Sequence, residues 1–258
     1  MIFFKKKNTI VLDCFTWSNH AYEYAKIDHA IKYIPDWWKN TPKTMFKKEH
    51  ATIKNCPGFI DLYKKGIVIP SWFDIELCVY EKNNSEGNWF AFNASNEDVS
   101  TSNSHEPYQF DGFCESDGKN LKFTSPWRFK TNENVNFLCS QPTWNHRSLI
   151  QNMTFLPGIV NFKYQNDTDM NYFVISGTEK KFLNIESLTP LVIMHPLTEK
   201  NIVIKNHLVT KEEYDKKFQT FKGMFLSKTK DHLINLYKKR KKLVNKLDDI
   251  KKCPFHND

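Results

Sequence analysis

Three observations predict a mainly β protein: an antiparallel sandwich or barrel with short helical insertions and a C-terminal helical extension. Short apolar runs recur from residue 108 to residue 204, separated by Asp-Gly, Ser-Pro, Gln-Pro, Pro-Gly, Ser-Gly and Thr-Pro pairs. That is the punctuation of strands and turns, not of strands alternating with helices. Aromatic residues make up 15% of the chain, with 21 Phe, so rings fill the core. Past Thr210 the pattern becomes helical and basic, which divides the chain into a β-rich domain over 1–205 and a basic helical extension over 206–258.

Taken in order, Thr9 to Phe15 is β-branched and apolar and reads as the first strand. Residues 18–33 mix Ala, Tyr and Ile at helical and irregular spacing, and Pro35 followed by Asp36 suits one helical turn through Trp37 and Trp38. Cys56-Pro57-Gly58 marks a turn into a short helix that Gly66 stops. The strongest period-2 signal follows, with Phe73, Ile75, Leu77 and Val79 on one face and Asp74, Glu76, Cys78 and Tyr80 on the other; Pro70 marks its start or a bulge. Residues 83–88 read as a hairpin turn into Trp89-Phe90-Ala91-Phe92, and 93–107 as a polar loop. Further strands are expected at 108–113, 121–129, 135–139, 159–164, 171–175, 188–194 and 202–204. Thr210 and Glu213 have capping-box spacing, and helices extend from there to about Leu247.

The net charge of +8 is segregated. Residues 1–204 carry 22 basic and 22 acidic side chains, whereas 205–258 carry 15 and 7, so the whole excess lies in the extension. Such a segment can be a solvated helix face, or can meet nucleic acid through residues 228–252, an anionic membrane or an acidic protein surface. Only three cations are Arg: Arg128, Arg147 and Arg240. An Arg kept in so Lys-rich a composition is notable because its planar fork grips a carboxylate or phosphate as an ammonium does not. Six Cys lie far apart with no Cys-x-x-Cys and no Cys/His cluster, and Met1 to Lys7 lacks the form of a signal peptide. The expectation is a cytosolic chain with reduced thiols, no membrane span and no cofactor.

Catalytic signatures are sparse. His256-x-Asp258 is the only pair with the spacing of an iron facial triad, and it sits at the terminus. Gly-x-Ser-x-Gly and Gly-rich phosphate loops are absent, which removes the commonest hydrolases and NTPases. The middle of the chain is more suggestive, because Arg128 follows Trp127 and Arg147 follows Trp144 closely in a β region. Arg beside Trp can stack and still present its fork to an anion, or simply make a structural ion pair. The candidate ligand-binding residues are Arg128, Trp144, Arg147, Ser148 and Tyr164, with Asp74 contributed from the strand.

Residues 33–43, 52–79, 125–129, 156–160 and 187–197 resemble, in their Trp, Pro and Cys punctuation, an uncharacterised family of tailed phages and some bacteria. The resemblance implies a viral setting and brings no binding residues. Arg147-Ser148-Leu149, the run from Gly158 to Tyr164 and the later Leu188 to Leu197 are similar in order to motifs of the dUTPase and dCTP deaminase superfamily. That likeness implies Arg147 and Ser148 on phosphate and Tyr164 stacked on a base. Where that family carries a water-ordering Asp, this chain has Asn161, which is no general base.

The first expectation is therefore a non-enzymatic phage-type protein, a structural, assembly or host-interaction module in the host cytoplasm or virion. Its partner is a protein or a second copy of itself. The alternative is a dUTPase-like enzyme that binds or hydrolyses a nucleotide or related small molecule.

Overall fold

A computed structural model describes residues 8–47, 50–80, 89–94, 102–103, 118–145, 153–175 and 181–218, with positions 238 and 242. The expected turn at 83–88, the strand at 108–113, Arg147, Ser148, most of the loop at 93–107 and nearly all of 228–252 lie outside these residues.

In chain order the strands are β1 (Thr9–Thr16), β2 (Asp28–His29), β3 (Thr44–Met45), β4 (His50–Ala51), β5 (Ile67–Pro70), β6 (Ile75–Tyr80), β7 (Trp89–Ala94), β8 (Ser102–Asn103) and β9 (Gly118–Thr124). There follow β10 (Arg128–Lys130), β11 (Phe137–Ser140), β12 (Met153–Phe155), β13 (Gly158–Val160), β14 (Asp169–Ile175), β15 (Lys181–Ile185), β16 (Pro190–Pro196) and β17 (Asn201–Leu208). The helices are α1 (Asn19–Tyr24), α2 (Asp36–Asn40), α3 (Pro57–Lys65) and α4 (Lys211–Phe218).

The protein is mainly β, as expected, but its sheets stay open and none closes into a barrel among the described residues. The largest runs β13-β11-β16-β5-β2, and beside it are β12-β14-β9-β8, β15-β6-β7 and β10-β1-β17. Nearly all pairs are antiparallel. The exception is β1 with β17, which run parallel from Thr9 opposite Asn201 to Thr16 opposite Leu208 and so join the two ends of the β-rich part. β17 thus carries the sheet past the boundary expected at residue 205. One buried cluster runs through these sheets, with Leu12, Ile69, Leu77, Phe123, Phe137, Val174 and Val192 at its centre. Each such side chain removed from water contributes about 1.5–3 kcal/mol.

Two expected strands prove to be pairs of strands in different sheets. Residues 67–80 cross from β5, beside β16, to β6, beside β15, across Ser71 to Asp74. Residues 121–129 cross from β9 to β10 across Ser125-Pro126-Trp127. Proline has no N–H to continue a ladder, so the chain leaves the sheet there. A Trp then fills each corner: Trp72 is 1% exposed, and the fully buried Trp127 donates its indole N–H to Ala25 O at 3.0 Å. The face pattern read for this strand holds from Phe73 to Leu77, with Phe73, Ile75 and Leu77 buried and Asp74 and Glu76 exposed; the side chains of Cys78, Val79 and Tyr80 lie outside the described residues. Leu188 does not begin a strand but sits in a turn at φ 68°, a region that disfavours L-residues, and β16 starts at Pro190.

The capping box forms as its spacing predicts. Glu213 N–H donates to Thr210 Oγ1 at 3.1 Å and Thr210 N–H donates to Glu213 Oε2 at 3.0 Å. It starts α4, whose Tyr214 and Phe218 pack on Phe15 of β1. Gly66 ends α3 for a different reason from the one expected. Its φ of −70° is ordinary, but a Cβ there would lie 2.7 Å from Leu62 O, 2.9 Å from Ile193 Cγ2 and 3.0 Å from Ala30 Cβ. Glycine is required for close packing of α3 on β16, not for a left-handed cap.

Candidate functional site

The most site-like feature is built from α2, α3 and the turn after β11. Pro35 and Asp36 start the single turn of α2, both of whose indoles meet Phe59, Trp37 edge-on at 6.0 Å. Trp38 lies flat on Phe59 of α3, with ring centres 5.1 Å apart and planes within 7°. Trp37 meets Trp144 at 6.1 Å and donates its indole N–H to Trp144 O at 2.9 Å. Phe59 also meets Trp144 edge-on at 5.4 Å and Tyr63 at 4.8 Å.

Beneath the rings, Tyr63 Oη donates to Asn145 Oδ1 at 2.7 Å and Asn145 Nδ2 donates to Tyr33 O at 2.6 Å. Burial raises the Tyr63 phenol well above its ordinary range, and burial with the Asp28 charge raises Tyr33 to about 12. Both phenols therefore stay neutral at physiological pH. Trp37 and Trp144 are 43% and 45% exposed, so the cluster breaks the surface as an aromatic ridge. Lys54 sits on its edge, 4.2 Å from the Trp38 ring centre, and donates to Trp38 O and Lys39 O at 3.0 and 2.7 Å. Both acceptors are carbonyls; among the described residues Lys54 meets no carboxylate.

Below the ridge is a cavity of about 350 Å³, with Trp144, Leu62 and Phe155 on its walls and Ser140, Gln141 and His195 among its polar groups. Gln141 is committed to structure: its Nε2 donates to Met153 O at 2.9 Å and its Oε1 accepts from Phe155 N–H at 3.2 Å. His195 is not. Its Nε2 is buried with no hydrogen-bond partner among the described residues, and burial lowers its pKa, so the ring is held neutral.

Of the residues singled out in the sequence, the described ones, Arg128, Trp144, Tyr164 and Asp74, have separate sets of partners. Trp144 is the one that joins the ridge and cavity. Arg128 is engaged within the fold: its Nε donates to Asp167 Oδ1 at 2.6 Å, its Nη1 donates to Ser125 O at 3.2 Å, and its guanidinium lies 5.9 Å from the Tyr214 ring centre. With only 12% of its side chain exposed, its fork is not offered to an anion. Tyr164 is 1% exposed, so its ring has no open face for a base. Asp74 accepts from Ser187 N–H at 2.7 Å and, with Glu76 and Glu186, lines an open cavity of about 530 Å³. Arg147 and Ser148 are outside the described residues.

No protein-family model matches the chain, and a search among curated proteins finds no match.

Asn161, where the similar motif carries Asp, has a structural duty. Its Nδ2 donates to Asn134 Oδ1 at 3.0 Å and Asn136 Oδ1 at 2.8 Å, and its Oδ1 accepts from Lys163 N–H at 3.1 Å. The donated pair uses the amide N–H₂ that a carboxylate lacks. Among the described residues no three His, Cys, Asp or Glu are grouped to hold a metal ion, and no helix is long and apolar enough to cross a membrane. His195, Phe59 and Tyr63 were missed from sequence. The available signal for His195 was its place as the one titratable side chain in the apolar run 190–196.

Proposed function

We propose that the chain is a non-enzymatic, phage-type binding module of the host cytoplasm or virion, and that it engages a partner protein through the Trp37–Trp144 ridge. The observation that carries this reading is a pair of half-exposed indoles, Trp37 tied through its indole N–H to the Trp144 backbone carbonyl, set above a cavity with an imidazole nitrogen unpaired among the described residues. Rigid, partly exposed Trp side chains supply contact area at low entropic cost, and they dominate protein interfaces for that reason. The occupant is an acidic segment with an apolar anchor. The anchor enters the cavity under Trp144, and the acidic flank faces Lys54, whose charge no carboxylate of the described chain neutralises.

The nucleotide reading has less support, because Arg128, Tyr164 and Asn161 are each committed to the fold. A random peptide display library selected against the wild-type chain, with the Trp37→Ala/Trp144→Ala variant for counter-selection, tests the proposal. Enriched peptides should combine an acidic run with an apolar anchor and lose roughly tenfold or more in affinity on Trp144→Ala, as for a central hot spot. Sedimentation that reveals a dimer broken by Trp144→Ala would make the occupant a second copy instead. Peptides binding both proteins equally, or turnover in a screen of nucleoside triphosphates, would overturn the reading.

A further inference from the structure

Between α2 and α3 the chain makes a small hairpin, β3 with β4, paired from Thr44 opposite Ala51 to Met45 opposite His50. All four of these residues are exposed, so the hairpin stands in solvent on both faces. Its base is fastened: Thr52 N–H donates to Lys43 O at 3.1 Å, Thr52 Oγ1 donates to Pro42 O, and Asn55 Nδ2 donates to Lys43 O at 2.9 Å. The residues at its tip are unfavourable where they stand. Phe46 and Lys47 follow one another in the left-handed region, at φ 48° and 55°, where a turn ordinarily places Gly, Asn or Asp. Phe46 is also 68% exposed and Met45 48%, and the Phe46 ring meets only the edge of His50, 5.7 Å away between centres, among the described rings. Glycine at 46 would relieve the backbone and take an aromatic ring out of water, so Phe there lowers stability in two ways. Strain together with exposed apolar surface marks a place that meets something.

The surroundings restrict what that is. From Trp37 to Cys56 the sequence carries five Lys against one Glu, and Asp36 just before them is engaged with Lys39 at 2.9 Å. Lys43 and Lys47, on either side of the apolar pair, are both exposed. An opposing surface must therefore be anionic. A convex tip of one aromatic ring and one flexible thioether is too small to form the desolvated centre of a protein interface. Flanked by ammonium groups on long stems, it has the form that enters the headgroup layer of a bilayer, with apolar atoms at the acyl boundary and Lys at the charged surface.

We propose that the β3–β4 tip attaches the protein to an anionic membrane surface, with Met45 and Phe46 entering the lipid interface and Lys43 and Lys47 meeting the headgroups. The inference does not rest on the partner reading, since it uses neither the Trp37–Trp144 ridge nor the cavity below it. The test is co-sedimentation of the full chain with vesicles of phosphatidylcholine alone and of an equal mixture with phosphatidylserine. Wild type should bind the anionic vesicles roughly tenfold or more tightly than the neutral ones. Phe46→Gly keeps every charge and suits the backbone, so it should lose roughly tenfold or more of that binding while its urea midpoint stays the same or rises. Lys43→Gln/Lys47→Gln should lose about as much. The proposal fails if wild type binds neither vesicle or both equally, or if the double Lys variant binds as wild type does. It also fails if Phe46→Gly keeps full binding, which would place the attachment in the basic extension. A dimer that Phe46→Gly dissociates, with no vesicle binding, would make the tip a contact between copies instead. A lower urea midpoint for Phe46→Gly would show that the ring stabilises its own fold, which overturns the proposal as well.

Discussion

Replacing Gly66 by Ala sets two effects of opposite sign against each other. Because φ at Gly66 is −70°, Ala can adopt the native backbone, and restricting the unfolded chain would by itself stabilise the protein by about 0.4–1 kcal/mol. Against this, the new Cβ meets Leu62 O, Ile193 Cγ2 and Ala30 Cβ at 2.7, 2.9 and 3.0 Å, inside ordinary contact on three sides. None of the three is the far end of a flexible side chain. Leu62 O also accepts the Gly66 N–H at 3.0 Å, and Gly66 O accepts from Ala30 N–H at 2.8 Å, so a shift that relieves one contact strains another. Overpacking of this kind costs about 1–3 kcal/mol, so the clash wins and the net loss is about 1–2 kcal/mol. For a chain of this size Tm moves by roughly 2–4 °C per kcal/mol. Gly58→Ala is the control: it lies within α3, which Gly66 ends, with only Cys56 Sγ near at 3.9 Å, and should stabilise by about 0.5–1 kcal/mol. Urea denaturation of the three proteins reads both changes. Gly66→Ala equal to or more stable than wild type, with an unchanged m-value, would refute the close-packing explanation.

Trp127→Phe leaves Ala25 O without its buried donor and opens space at the β9–β10 corner, and should cost about 2–4 kcal/mol in the same urea assay. Asn161→Ala removes two donated bonds and one accepted bond. Because Asn134 and Asn136 are exposed and rehydrate, the expected loss is only about 1–2 kcal/mol, with no change in any nucleotide-dependent thermal shift. Burial lowers the His195 pKa below its ordinary 6.5, so the unfolded chain takes up a proton at a pH where the folded chain does not. Its contribution to stability is complete above 6.5, is lost as pH falls from there toward the folded-state pKa, and then levels off. His195→Leu should flatten that part of a Tm-against-pH curve, and an unchanged slope between pH 7 and about 5 would count against a buried neutral ring.

Much of the local structure was legible because its causes are local. The capping box needs only Thr210 and Glu213 three residues apart, and it forms. Alternation alone placed Ile75 and Leu77 inward, and Pro35-Asp36 sufficed to start a helical turn. The order of Trp and Pro residues marked the corners, though as breaks within strands and not as crossings between sheets. What depended on the tertiary structure is what depends on distant partners. Nothing near Thr9 states that it pairs in parallel with Asn201, since that register follows from which faces must be buried together. Arg128 resembles a ligand residue until Asp167 is brought to 2.6 Å, and Asn161 resembles a disabled catalytic position until Asn134 and Asn136 arrive to accept from it. The sequence by itself determined a β-rich chain with its turns, caps and aromatic core. Only folding decided which polar atoms were consumed by neighbours and which, at His195, Thr168 and Asn171, have no partner among the described residues, because satisfaction of a buried atom is a property of its surroundings in space.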